Sequence, residues 1–125
     1  MGWVIEHIGI YARDVERLAK WYQDVLGFKI IRVLEKPGRP PIYFLGYENC
    51  GCIIEILPTQ KEGKERELND PGFSHIGIVV DDFEKAIDHL KSKGVEVFGV
   101  RKTSAGWMIG YFRDPEGNIL EIVKR

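Results

Sequence analysis

Two histidines and two glutamates recur at matching places and could do chemistry together. His7-Ile8-Gly9-Ile10 returns as His75-Ile76-Gly77-Ile78, and Gly51-Cys52-Ile53-Ile54-Glu55-Ile56 returns as Gly117-Asn118-Ile119-Leu120-Glu121-Ile122. Each copy opens on a His in a strand and closes on a Glu in a strand. Ile53, Glu55 and Leu57 alternate with Cys52, Ile54 and Ile56, and Ile119, Glu121 and Val123 alternate with Leu120 and Ile122. Both faces of these strands therefore read as apolar. A carboxylate there is costly unless it is paired or bound to a metal. Two-fold pseudosymmetry gathers equivalent positions around one axis, so His7, Glu55, His75 and Glu121 are expected to converge on one ion. Imidazole and carboxylate suit divalent Zn, Ni, Co, Mn or Fe, whereas a closed structural zinc site more often uses Cys. A lone strand His is more often a packed or edge residue, and a lone strand Glu is more often exposed. The repeat of the pair decides for a metal, because packing calls for neither residue type.

The elements that must hold these side chains follow from periodicity. Trp3 to Ile10 reads as a strand, with Trp3, Ile5, His7, Gly9 and Tyr11 on one face. Asp14 is a helix N-cap, followed by Val15, Leu18, Ala19, Tyr22 and Leu26 at helical spacing and by Gly27 as the C-terminal cap. Phe28 to Glu35 and Ile42 to Tyr47 read as strands around a loop at Lys36–Pro41. A tight turn at Glu48–Gly51 leads into a strand at Cys52–Leu57. Pro58 to Phe73 is polar and charged, and reads as a linker, partly helical or a mobile flap. The plan then repeats. A strand spans Phe73–Val80, and Asp81 or Asp82 caps a helix with Phe83, Ala86, Ile87 and Leu90, closed by Gly94. Strands follow at Val95–Val100, Trp107–Phe112 and Ile119–Val123, with a turn at Asp114–Gly117. This predicts an α+β fold of two tandem βαβββ modules, module 1 at about residues 1–58 and module 2 at about 73–125. Neither has enough core to stand alone comfortably. Paired side by side they would make a curved, barrel-like sheet with the helices outside.

Bulk composition removes whole classes of function. Lys plus Arg is 18 against 19 for Asp plus Glu, and no basic run is long enough to steer a polyanion, so nucleic acid is not an expected partner. No apolar run reaches the ~20 residues of a membrane helix, and the N-terminus has no secretory pattern. Cys50 and Cys52 are too close on one strand to form a disulfide framework. A soluble, cytoplasmic protein with reduced, structural thiols is expected. His89 falls on the polar side of the second helix and reads as solvated. Tyr11 shares a face with His7 and is placed to reach a ligand. Trp107, with Met108, Tyr43 and Phe44, could line a pocket, although core packing also accounts for these four.

The chain resembles the vicinal oxygen chelate superfamily, also called the glyoxalase, bleomycin-resistance and dioxygenase family. The carriers are His7-Ile8-Gly9-Ile10 with Asp14, Trp21-Tyr22 through Leu26-Gly27-Phe28, and Phe73-Ser74-His75-Ile76-Gly77-Ile78 with Asp81-Asp82. Phe112-Arg113-Asp114-Pro115-Glu116-Gly117-Asn118 leading into Glu121 completes the set. The resemblance covers nearly all of residues 1–125 and implies a single domain of paired βαβββ modules around a divalent metal. His7, Glu55, His75 and Glu121 match the four ligand positions of glyoxalase I. Fosfomycin-resistance enzymes and extradiol dioxygenases usually lack a ligand at the position of Glu55, and bleomycin-binding members lack the metal set. Tyr11 and Thr59 stand where bacterial glyoxalase I carries an Arg and an Asn that hold glutathione, so the glutathione grip is not visible.

The resemblance implies a metal-dependent lyase or isomerase that moves a proton next to a carbonyl, lactoylglutathione lyase-like, with Glu121 or Glu55 as the base. The expected partner is a small-molecule carbonyl substrate. The alternatives are a methylmalonyl-CoA epimerase-like enzyme and a resistance-type protein that binds a small molecule without catalysis. Small members of the superfamily often pair, which implies a homodimer and leaves open whether one chain or two complete the metal site.

Overall fold

A computed structural model describes residues 2–48 and 51–125. Met1, Asn49 and Cys50 lie outside the described residues, and with them part of the expected Glu48–Gly51 turn. The chain divides into two compact units, Met1–Gly63 and Lys64–Arg125. Each follows the same βαβββ order, so the fold is α+β and made of two modules.

The first unit contains β1 (His7–Ala12), α1 (Val15–Leu26), β2 (Lys29–Lys36), β3 (Arg39–Gly46) and β4 (Ile53–Pro58). Its sheet runs β1-β4-β3-β2. Asp14 caps α1 by accepting from the backbone N–H of Arg17, and Gly27 ends it in the left-handed region at φ 71°, as only a residue without Cβ does cheaply. The helix buries Val15, Leu18, Ala19, Tyr22 and Val25. They meet the side of the sheet that carries Ile10, Ala12, Leu45, Ile54 and Ile56.

Two local expectations change. The first strand starts at His7 and not at Trp3. Its partner β4 begins at Ile53, whose N–H still reaches the Glu6 carbonyl, and residues 2–6 form no strand. Trp3, Val4 and Ile5 are exposed, so β propensity without a neighbouring ladder did not make a strand. Conversely, β3 starts at Arg39 and takes in Pro40 and Pro41, which sequence placed in a loop. The β2–β3 register shifts between Leu34 and Lys36, opposite these prolines, and β4 pairs with β3 only from Tyr43 onward. Proline has no N–H for a ladder, and an irregular, half-paired strand end tolerates it.

The second unit contains β5 (His75–Val79), α2 (Phe83–Ser92), β6 (Phe98–Lys102), β7 (Met108–Arg113) and β8 (Ile119–Lys124), with sheet order β5-β8-β7-β6. Asp82, not Asp81, caps α2, accepting from Lys85 N–H. Strand β6 starts three residues later than expected because residues 95–97 are not paired. Its register shifts between Phe98 and Arg101. The core comprises Phe83, Leu90, Ile109, Phe112, Ile119, Leu120, Ile122 and Val123. Among the described residues no helix is long and apolar enough to cross a membrane.

One topological feature matters most for function. In each unit the first strand pairs in parallel with the last, which a helical crossover makes possible. That pairing turns a distant His and Glu into neighbours.

Candidate functional site

In the second unit, parallel pairing sets His75 opposite Ile119 and Gly77 opposite Glu121. Paired residues share a face, so Glu121 rises over Gly77 and beside His75. A Cβ added at Gly77 would lie 3.5 Å from Glu121 Oε1, so the absent side chain leaves the carboxylate its place. Glu121 Oε2 lies 3.8 Å from His75 Nε2, with the His75 side chain 31% and the Glu121 side chain 16% exposed. That distance is too long for a hydrogen bond. The other ring nitrogen, Nδ1, is 2.8 Å from Ser74 Oγ.

Strand β7 adds a residue that sequence reasoning missed. Tyr111 pairs with Glu121, and its ring meets that of His75 edge to face at 5.5 Å. Its side chain shares the face of the Glu121 carboxylate and feels the charges of Glu121 and Arg101. Burial pushes the Tyr111 phenol up, and the charge of Glu121 pushes it further, while Arg101 opposes them. The phenol therefore keeps its proton and can donate it to Glu121. A Cβ at Gly99 would come within 3.1 Å of the Tyr111 ring, so β6 lies tight against it. The signal was present in the repeat: Tyr111 and Phe44 are the β-ladder partners of Glu121 and Glu55. Reading it required the antiparallel register, which the sequence does not print.

The first unit is built the same way. Gly9 pairs with Glu55 and His7 with Ile53, and a Cβ at Gly9 would lie 3.7 Å from Glu55 Oε1. His7 Nδ1 hydrogen-bonds the Glu6 carboxylate. That bond raises the His7 pKa above its ordinary value; slight desolvation opposes it, and the charges of Glu6 and Glu55 add to it. The His7 side chain is about half exposed to water, so a ligand can reach the ring.

Among the described residues no group of three or more His, Cys, Asp or Glu gathers within one metal's reach. Each unit brings together one His and one Glu. The donor types fit half of a divalent-ion site: in the second unit an imidazole nitrogen and a carboxylate oxygen stand 3.8 Å apart, and the ladder puts His7 and Glu55 on one face in the first. The two glutamates are half-buried and not sealed in, as an open site requires. Strand β8 is apolar and covered on both faces, as read from sequence, but on β4 only Ile54 and Ile56 are buried while Ile53, Glu55 and Leu57 stay partly open.

The remaining candidates are placed as follows. Tyr11 lies on the His7 face, 66% exposed and opposite Leu57. Trp107 closes the β6–β7 hairpin through Thr103 and takes Arg125 over its ring at 4.7 Å. Cys52 is half-buried, and His89 is exposed on α2. Thr59 bonds the Ala12 carbonyl through its N–H, and its hydroxyl accepts from Lys61.

Comparison with known proteins places this geometry. Residues 4–122 match the family model described as the Glyoxalase/Bleomycin resistance protein/Dioxygenase superfamily. A lactoylglutathione lyase of Haemophilus influenzae is 30% identical over 123 residues, covering 96% of this chain and 91% of that protein. A probable chloroplastic lactoylglutathione lyase of Arabidopsis thaliana is 32% identical over 95% of this chain, which spans 35% of that longer protein. In fold, the crystal structure of a glyoxalase family protein from Enterococcus faecalis superposes with a TM-score of 0.81 at 24% identity, covering 96% of both chains. With its two βαβββ units and a match spanning nearly its whole length, the chain belongs to the Glyoxalase/Bleomycin resistance protein/Dioxygenase superfamily.

Proposed function

We propose that this protein is a metal-dependent glyoxalase-like lyase or isomerase that moves a proton at a carbon next to a carbonyl. The observation that carries the reading is the parallel pairing that sets Glu121 beside His75, with Tyr111 its antiparallel partner, repeated as Glu55 beside His7. Relatives named lactoylglutathione lyase support the reaction class. His7, Glu55, His75 and Glu121 would hold a divalent ion such as Ni, Co, Zn, Mn or Fe, with the two His–Glu pairs supplied by one chain or by two chains of a homodimer. When bound, the ion supplies Lewis-acid stabilisation of negative charge developing on a substrate oxygen.

The protein's own groups do the rest. Glu121 is the base: its carboxylate takes the proton from the carbon next to the carbonyl and returns it to the neighbouring carbon. Tyr111, the ladder partner of Glu121, would donate its phenol hydrogen to the carboxylate and hold it in place through the transfer. Replacing Tyr111 by Phe keeps the ring packing and removes only that donor. The expected result is a fall in kcat/KM of about 10- to 100-fold with an unchanged melting temperature, checked by steady-state kinetics and calorimetry.

The test of the function is to strip metal from the pure protein, reload it with Ni, Co, Mn or Zn, and follow hemithioacetal isomerisation. Turnover with at least one metal is expected. No turnover with any of them sinks the glyoxalase form of the proposal. Tyr11 and Thr59, in place of the glutathione-holding Arg and Asn of similar enzymes, favour a second reading: an epimerase acting on a carbonyl thioester. Screening acyl thioesters beside hemithioacetals separates the two. Metal-free protein with no affinity for added metal would point to binding without catalysis.

A further inference from the structure

We propose that the residue just before each strand histidine, Ser74 in the second unit and Glu6 in the first, is a positioning residue that fixes the ring's tautomer and leaves Nε2 bare for a ligand. The inference rests on the reading of His75 and His7 as ligands, and is argued from donors and acceptors.

Ser74 Oγ makes two contacts. It donates to the Leu68 carbonyl at 2.9 Å, and it lies 2.8 Å from His75 Nδ1. A hydroxyl has one hydrogen. Because a carbonyl can only accept, that hydrogen belongs to the Leu68 bond. The Nδ1 contact then requires Nδ1 to carry the ring proton and donate it to Ser74 Oγ. In the neutral ring Nε2 is therefore the bare nitrogen, and it is the one that faces Glu121 Oε2. The first unit repeats the arrangement: His7 Nδ1 faces the Glu6 carboxylate, which can only accept, so Nδ1 again carries the proton. Position 6 precedes His7 as position 74 precedes His75. One place in the repeat thus does the same work with two different acceptors.

The Ser74 contact is a built one. The segment before it, read from sequence as a linker, is folded onto itself. Glu67 N–H donates to Asp70 Oδ2 at 2.9 Å, and Asp70 N–H donates to the Glu67 carbonyl at 3.2 Å. Arg66 Nη2 donates to the carbonyls of Phe73, at 2.6 Å, and Pro71, at 3.4 Å. These bonds hold the Leu68 carbonyl where Ser74 needs it. Outer partners that set a ligating histidine's tautomer change metal affinity by about 10- to 100-fold when removed.

The experiment uses the 15N-histidine-labelled, metal-free protein at about pH 8.5, about two units above the ordinary histidine value. Long-range proton–nitrogen NMR reads the tautomer of His75 and His7, and Co2+ titration reads affinity. Wild type is expected to show Nδ1–H at both. Ser74→Ala is expected to convert His75 to a mixture or to Nε2–H, leave His7 unchanged, and weaken Co2+ binding by about 10- to 100-fold. Ser74→Thr, which keeps the hydroxyl, is expected to restore both readouts. His75 as Nε2–H in wild type, a tautomer unmoved by Ser74→Ala, or a tautomer shift with unchanged Co2+ affinity overturns the inference. If wild type shows Nδ1–H, Ser74→Ala shifts it, and no metal binds to either protein, the tautomer assignment stands and the metal-dependent function fails.

Discussion

Glu121→Gln is expected to lower kcat/KM at saturating metal by about 10²- to 10⁴-fold, the span for losing a positioned acid–base group, while leaving the melting temperature near wild type. Gln keeps the shape over Gly77 and one acceptor oxygen but cannot take a proton. Glu55→Gln is expected to cost less turnover and more metal affinity. The reason lies across the ladder: Glu121 pairs with Tyr111, which carries a hydroxyl, whereas Glu55 pairs with Phe44, which offers no donor. A base must stay aimed while it moves a proton, and Tyr111 on the paired strand β7 gives Glu121 a group that could hold it. Steady-state kinetics at several metal concentrations, with affinity measured separately, check the pair. Equal losses in kcat for the two variants would remove the assignment of Glu121 as the base.

Most of the fold was legible because each half says the same thing twice. The helix caps at Asp14 and Gly27, the Val15–Leu18–Ala19–Tyr22 stripe and the buried β8 strand all follow from local chemistry. The proposed His–Glu site was legible only as residue types and a repeat; parallel pairing of first and last strands then sets His75 beside Glu121 and puts His7 and Glu55 on one face. Three features were not legible, each for a physical reason. Residues 3–5 have strand-forming side chains but no ladder to join. Pro40 and Pro41 carry a loop signal that an irregular strand end absorbs. Tyr111 and Ser74 enter through register and through a carbonyl delivered by a charged segment, and neither leaves a periodic trace. The segment at 66–73 is the clearest case, since its composition says linker while its hydrogen bonds make it a clamp.

Phe112→Ala is expected to destabilise the protein by about 3–5 kcal/mol, combining lost apolar burial with the cavity left behind. Phe112 is 0% exposed, and its ladder partner Leu120 is equally sealed. Total stability for a domain of this kind is about 5–15 kcal/mol, so the loss is a large share of it. A drop in melting temperature of about 10–20 °C follows from the entropy of unfolding for a chain of this size. The functional consequence comes from strand geometry. Phe112 points into the helix side of the sheet, and its neighbour Tyr111 points to the face that carries Glu121 and His75. A cavity under β7 and β8 therefore loosens the backbone that aims Tyr111 and Glu121. Phe112→Leu keeps most of the volume and is expected to cost about half as much or less, with turnover largely retained. Thermal unfolding and kinetics of both variants, measured below their melting temperatures, separate the two effects. If Phe112→Ala lost stability but kept wild-type turnover, the carboxylate would owe its aim to the β5–β8 pairing alone, and the packing beneath β7 would have no part in the site.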